Sequence, residues 1–227
     1  MESNLPVINN TNMKMKSSSF LNVVLAAALL CVSVRLVTVS GEKTVEKTGG
    51  TSAEVYDNIM TRSSVREYLD TSISDSQIDT LLHAGMAAPT AVNRQPWHLV
   101  VVRDRSLLQQ IAGLCPNASM AKDAPLAIVP CGDMSKYEEG EDGLRGFWPQ
   151  DLSAVTENIL LQAHAMGLGA VWTGTYPSEE RCKAMSQLLR LPANLVPFCT
   201  IVIGYPKGDQ QPKDKWDESK VTYDRGK

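Results

Sequence analysis

Ala87-Ala88-Pro89-Thr90-Ala91-Val92-Asn93-Arg94-Gln95-Pro96-Trp97-His98 runs straight into the apolar stretch Leu99-Val100-Val101-Val102. It reads as the end of a helix, a polar loop, and then a buried strand. Small residues, two carboxamides and prolines of fixed φ suit a loop held against a planar ligand. Taken alone, the same letters also describe an ordinary helix–strand connection. What tips the balance is the company the stretch keeps: a basic turn upstream, a Gly-rich helix–strand turn downstream, and a basic C-terminal tail.

Around this loop, apolar periodicity sets out an alternation of helices and strands. Residues 52–61 read as a short helix with Val55, Ile59 and Met60 on one face. Ser74 and Gln77 form a capping-box signature that opens a second helix, whose inward stripe is Ile78, Leu81, Leu82 and Gly85. Strands are expected at 97–102, 125–131, 170–173 and 196–203, and helices at 104–114, 151–166 and 178–189. The polar, glycine-containing segment 133–148 reads as irregular. Continuous apolar strands between helices imply a sheet covered on both faces.

With 227 residues, 21% charged and 43% apolar, the chain has the composition of a globular protein, and a formal charge of −3 gives no electrostatic argument for nucleic acid. The first forty residues stand apart. A basic Met13-Lys14-Met15-Lys16 precedes an apolar run from Phe20 to Val34 and a small-residue exit near Ser40-Gly41, the pattern of a secretory signal. Three readings are open. One is a cleaved signal or a lipoprotein, with Cys31 as acylation site although the bulky Leu30 precedes it. Another is an uncleaved membrane anchor over Leu21 to Val39, and the third is a buried helix. The first two put the protein on the periplasmic side or at a membrane; a misread segment leaves it cytoplasmic. Residues 41–51 read as a linker and 52–227 as the functional domain.

The cysteines offer no C-x-x-C pair, and Cys131 and Cys199 lie in strand-like runs, so buried free thiols are expected. His83, His98 and His164 are far apart with no ligand-spaced partners, and no G-x-S-x-G elbow occurs. Gly167-Leu168-Gly169 follows a helix and enters a strand, the reverse of a dinucleotide fingerprint. Arg62-Ser63-Ser64-Val65-Arg66 sets two guanidinium forks beside two hydroxyls, a set that matches phosphate oxygens, although alone it is also an ordinary solvated turn. Lys213-Asp214-Lys215 adds two cations from a distant tail that by itself reads as plain surface.

Taken together, Arg62-Ser63-Ser64-x-Arg66, Ala88-Pro89-Thr90-x-x-Asn93-x-Gln95-Pro96-Trp97, Asp123-Ala124-Pro125, Asp151 through Asn158 and Gly167-Leu168-Gly169-x-x-Trp172-x-Gly174 resemble the nitroreductase family of FMN-dependent oxidoreductases, from about Ala53 onward. The resemblance implies an α+β fold with a mixed central sheet covered by helices on both faces. It also implies an intertwined homodimer with an FMN in each interface site. Arg62, Ser64 and Arg66 would hold the FMN phosphate and ribityl chain, with Ser63 adding main-chain contact and Lys213 and Lys215 closing on the same phosphate. Pro89, Thr90, Asn93 and Gln95 would line the isoalloxazine, with Asn117 at its pyrimidine edge and Asp151 on a helix facing the ring. Gly174 and Thr175 would set backbone N–H groups near N5. Lys215 stands where the family often has arginine, which keeps the charge and loses the fork.

The implied reaction is a ping-pong transfer of hydride from NAD(P)H through the flavin to a small acceptor such as a nitroaromatic or a quinone. A flavin-binding carrier or redox sensor without turnover is the alternative. An exported domain would lack the cytosolic NAD(P)H pool and would need another donor. Segment 133–148 is the expected lid, with Tyr137, Phe147 and Trp148 as stacking candidates.

Overall fold

The computed structural model describes residues 51–225. The export, anchor and most of the linker readings for the N-terminal stretch lie outside those residues. Helix α1 (Ser52–Thr61) opens the described chain and α2 (Asp75–Met86) follows. Strand β1 (Trp97–Val102), helix α3 (Arg105–Leu114) and strand β2 (Leu126–Asp133) come next. After a short α4 (Asp142–Arg145), the long α5 (Trp148–Ala165) leads into β3 (Gly169–Gly174). Helix α6 (Glu179–Leu189) and strands β4 (Leu195–Pro197) and β5 (Cys199–Gly204) complete the fold.

Helix starts follow local chemistry. Thr51 and Ser74 both close capping boxes, with Glu54 and Gln77, and Asp104 and Ser178 accept from the backbone N–H three residues on. Helix α5 begins three residues earlier than its apolar spacing predicts, because Pro149 suits a first turn whose N–H groups need no intrahelical partner.

The sheet runs β1-β2-β5-β3, with β4 also paired to β2. Every ladder between these strands is antiparallel; the parallel element is a single bridge, Ser64 to Ala170, at the β3 edge. Side chains alternate across β2 and β5. Leu126, Ile128, Ile201 and Ile203 pack with Leu81, Leu152, Val155 and Ile159 of α2 and α5. Ala127, Val129 and Val202 pack with Leu108, Ile111 and Met185 of α3 and α6. The sheet is therefore buried on both faces, as expected for continuous apolar strands.

Two local expectations are corrected. The last strand does not run unbroken through 196–203: Pro197 brings no N–H, and Phe198 leaves the ladder between β4 and β5. The Phe198 N–H donates to the Pro130 carbonyl, and its own carbonyl accepts from Thr175 and Tyr176. Segment 133–148 is also not a free lid. Tyr137 and Trp148 are buried in the core, and Trp148 stacks edge-on against Tyr176 at 4.7 Å and Phe198 at 5.8 Å. Only Phe147 of the three aromatic candidates is exposed.

Candidate functional site

Arg62 to Arg66 leaves α1 in extended form and lies along the edge of β3. Val65 N–H donates to the Ala170 carbonyl, and the Tyr68 hydroxyl lies 2.7 Å from the Val65 carbonyl and 3.1 Å from that of Val202. Burial pushes the Tyr68 phenol far up, so it stays a neutral donor. Gly169 is what lets this segment approach: a Cβ there would lie 2.6 Å from Val65 Cγ1. Packing of the 62–66 turn on the sheet is thus built from backbone pairing and one missing side chain.

That turn opens a groove of about 650 Å³ lined by Arg62, Ser63, Ser64, Arg66, Lys213 and Lys215, together with Ile59, Met60, Gln210, Gln211 and Trp216. Two segments some 150 residues apart converge here, so the basic tail is no mere surface extension. Arg62 is mostly buried and its Nε lies 3.1 Å from Glu157 Oε1 of α5, an ion pair in which the buried Nε makes no hydrogen bond. Behind it His164, 2.9 Å from Thr61 Oγ1, has its pKa lowered by burial and then by the Arg62 charge.

Arg66 also lines a second groove of about 390 Å³ with Asn117, Trp172, Thr173 and Gly174. The two grooves therefore share one guanidinium. A Cβ on Gly174 would meet nothing nearer than the Tyr176 carbonyl at 3.7 Å, so the chain itself places no demand for glycine there. Thr175 departs from its expected role: it is fully buried and its N–H donates to the Phe198 carbonyl at 3.1 Å, leaving no amide to offer a ligand. The break at Phe198 is the physical cause, since its carbonyl points at the 175–176 backbone.

Pro89, Thr90, Asn93 and Gln95 lie elsewhere, and no residue of the 90–95 loop lines either groove. Val92, Asn93 and Gln95 take left-handed backbone, with φ of 46°, 57° and 52°. Asp151, expected to face the ring, instead spends both carboxylate oxygens on this loop: Thr90 Oγ1 donates at 2.9 Å and Ala91 N–H at 3.0 Å. Arg94 pairs with Glu141, tying the loop to the segment before α4. Burial, reinforced by the Asp151 carboxylate, pushes the nearby Tyr137 phenol up.

Gln210, Gln211 and Trp216 of the first groove and the Arg94–Glu141 pair stand outside the roles expected from the sequence, and Trp172 of the second groove figures there only within the Gly167–Gly174 motif. The position of Arg94 between two carboxamide candidates was the one available signal. The tail residues carry none, because their place depends on where the chain returns after β5.

The nitroreductase-family model matches residues 59–140 and 114–205. A Methanothermobacter thermautotrophicus protein named NADH dehydrogenase/NAD(P)H nitroreductase is 42% identical over 168 residues, covering 74% of this chain and 85% of the relative. A Bacteroides thetaiotaomicron structure of the same name is 42% identical with a TM-score of 0.71, over 76% of this chain and 98% of the other. A structure described as an FMN-dependent nitroreductase from Clostridium difficile aligns at a TM-score of 0.68 and 26% identity, over 75% of this chain and 99% of the other. With the family model spanning most of the described residues and the α+β core superposing on solved relatives, this chain belongs to the nitroreductase family.

Proposed function

We propose that the protein is an FMN-dependent NAD(P)H oxidoreductase that reduces small acceptors such as nitroaromatics or quinones. The observation that carries this reading is the convergence of Arg62, Ser63, Ser64, Arg66, Lys213 and Lys215 on one groove. Two guanidiniums, two ammoniums and two hydroxyls form a donor set suited to a phosphate dianion and a polyol chain. Arg66 lines both this groove and the one at Asn117 and Gly174, which supports a ring lying beyond the phosphate. The residues present fit FMN, and relatives named NAD(P)H nitroreductase and FMN-dependent nitroreductase support the same assignment.

Bound FMN supplies reversible hydride and electron transfer, so the chain needs neither a nucleophile nor a metal set. Arg62, held by Glu157, and Arg66 neutralise the phosphate. Asn117 offers carboxamide groups beside Gly174, where the absence of a side chain keeps the backbone open to close approach. The open groove beside Gly174 would let a hydride donor and then an acceptor reach a bound flavin in turn, the order of a ping-pong reaction.

The separation of the 90–95 loop from both grooves supports a homodimer in which a second copy brings its loop to the first copy's grooves. The exposed apolar face of α1, with Val55 56% and Ile59 52% exposed, supports it too. The deciding experiment is anaerobic titration of the purified protein. A yellow protein that bleaches with NADPH or NADH and recovers its colour with a nitroaromatic or quinone upholds the reading. A yellow protein inert to both donors leaves only a flavin carrier, and a colourless one that cannot be reconstituted with FMN rejects the cofactor.

A further inference from the structure

Asp151 sits in the first turn of α5, 5% exposed, and reaches across some sixty residues of sequence to the 90–95 loop. A carboxylate there is stabilised by the helix N-terminus and by two donors, so it makes a rigid anchor. The hydroxyl of Thr90 extends the anchor. It donates to Asp151 Oδ2 and accepts from the Gln95 N–H at 3.0 Å, so one side chain links the carboxylate to the far end of the loop.

Something has to hold this loop in place. Left-handed backbone suits glycine and is tolerated by asparagine such as Asn93, but it is disfavoured for Gln95 and most of all for the β-branched Val92. Val92 adopts it while 67% exposed, so packing does not hold it there. The bonds from Ala91 and Thr90 to Asp151 bracket the N-terminal side of the strained residues, and the Thr90–Gln95 bond closes the other. Inside the bracket, Gln95 Nε2 donates to Asn93 Oδ1 at 2.9 Å. Among the described residues this leaves the Asn93 Nδ2 donor and the Gln95 Oε1 acceptor with no partner in the chain.

We propose that Asp151 is a positioning residue. Acting through Thr90 and Ala91, it holds the loop in the form that leaves Asn93 Nδ2 as a donor and Gln95 Oε1 as an acceptor for a ligand. A donor and an acceptor held on one rigid loop suit a ring that carries both carbonyl and N–H groups, as a flavin does. The assignment rests on the flavin reading above, and it gives Asp151 no direct contact with the ring.

The test uses the full-length protein and the variants Asp151→Asn, Thr90→Val and Thr90→Ser. Three quantities are read: amide hydrogen exchange at Ala91 and Gln95, visible circular dichroism of bound FMN, and affinity for riboflavin, which lacks the phosphate and so reports the ring alone. Asp151→Asn and Thr90→Val are expected to lose exchange protection at both amides, alter the flavin dichroism and weaken riboflavin about tenfold, the scale of one lost charge-assisted hydrogen bond. Thr90→Ser, which keeps the hydroxyl, is expected to match the wild type in all three. Thr90→Val carries the test if Asp151→Asn does not fold. Retained protection in Asp151→Asn or Thr90→Val overturns the proposal, and so does lost protection with unchanged dichroism and riboflavin affinity. A wild-type protein that takes up neither flavin overturns the cofactor reading and this assignment with it, a failure visible before any substitution is made.

Discussion

Gly169 and Gly174 bound the same strand, yet a methyl group means different things at the two positions. At Gly169 the new Cβ meets Val65 at 2.6 Å, and Val65 is buried and pinned by its own backbone bond to Ala170. Gly169→Ala is expected to cost about 1–3 kcal/mol in urea unfolding, as overpacking does, and to push the Arg62–Arg66 turn off the sheet, weakening FMN. At Gly174 nothing in the chain is displaced, so Gly174→Ala is expected to leave the urea midpoint unchanged while FMN affinity, followed by fluorescence quenching, falls. Equal loss of stability in both would remove the argument that Gly174 serves a ligand. Residue types at these positions were legible in the sequence; their reasons were not. Asp151 and Thr175 show why, since the carboxylate of one and the backbone amide of the other are taken by segments away in sequence, Thr90–Ala91 and Phe198.

Strands β2 and β5 each carry a fully buried thiol, Cys131 and Cys199, and burial pushes both up to about 12. In the unfolded chain a thiol ionises near its ordinary value, about 8.5. Between the two values the unfolded state has lost the proton that the folded state keeps, so stability is fully present below about pH 8.5 and falls as pH rises. Each thiol contributes a loss of up to ~1.4 kcal/mol per pH unit in that window. Urea midpoints taken from pH 8 to 10 are expected to fall, and to fall less in Cys131→Ala and Cys199→Ala, compared within each variant's own pH series. A midpoint independent of pH in the wild type contradicts this. At the same scale, the helices were readable because their caps are local: Ser74 and Gln77 close a box within four residues. The interruption at Phe198 was not, because it depends on which carbonyls the neighbouring chain presents.

For the molecule as a whole, the question is what covers α1. Val55, Tyr56, Ile59 and Met60 lie exposed, although α1 is tied to α5 by Asn58 Nδ2 donating to the Leu161 carbonyl and by the Arg62–Glu157 pair. Ile59 and Met60 also line the groove at Arg62–Arg66, whereas Val55 and Tyr56 lie outside it, and their exposure supports the homodimer proposed above. Val55→Glu, which changes that face without touching the groove at Arg62–Arg66, is expected to turn the proposed dimer into a monomer in sedimentation velocity and to release FMN along with it. A monomeric wild type that still binds FMN tightly would show that one chain builds the whole site.

From the sequence itself come the longer helices with the Ser74–Gln77 cap, the apolar strands, the buried Cys131 and Cys199 and the two guanidiniums and two hydroxyls of the Arg62–Arg66 turn, because each depends on neighbours within a few positions. The antiparallel order of the sheet belongs to the tertiary structure. So do the tie of the Thr175 amide to Phe198 and that of Asp151 to the 90–95 loop, and it is there that Lys213 and Lys215 meet Arg62–Arg66, a convergence that the family resemblance implies and the tail's own letters do not. The physical reason is that a hydrogen-bonding group or a charge is specified by its partner. When the partner lies sixty or a hundred and fifty residues away, only the packing of the sheet and its helices says which one it is.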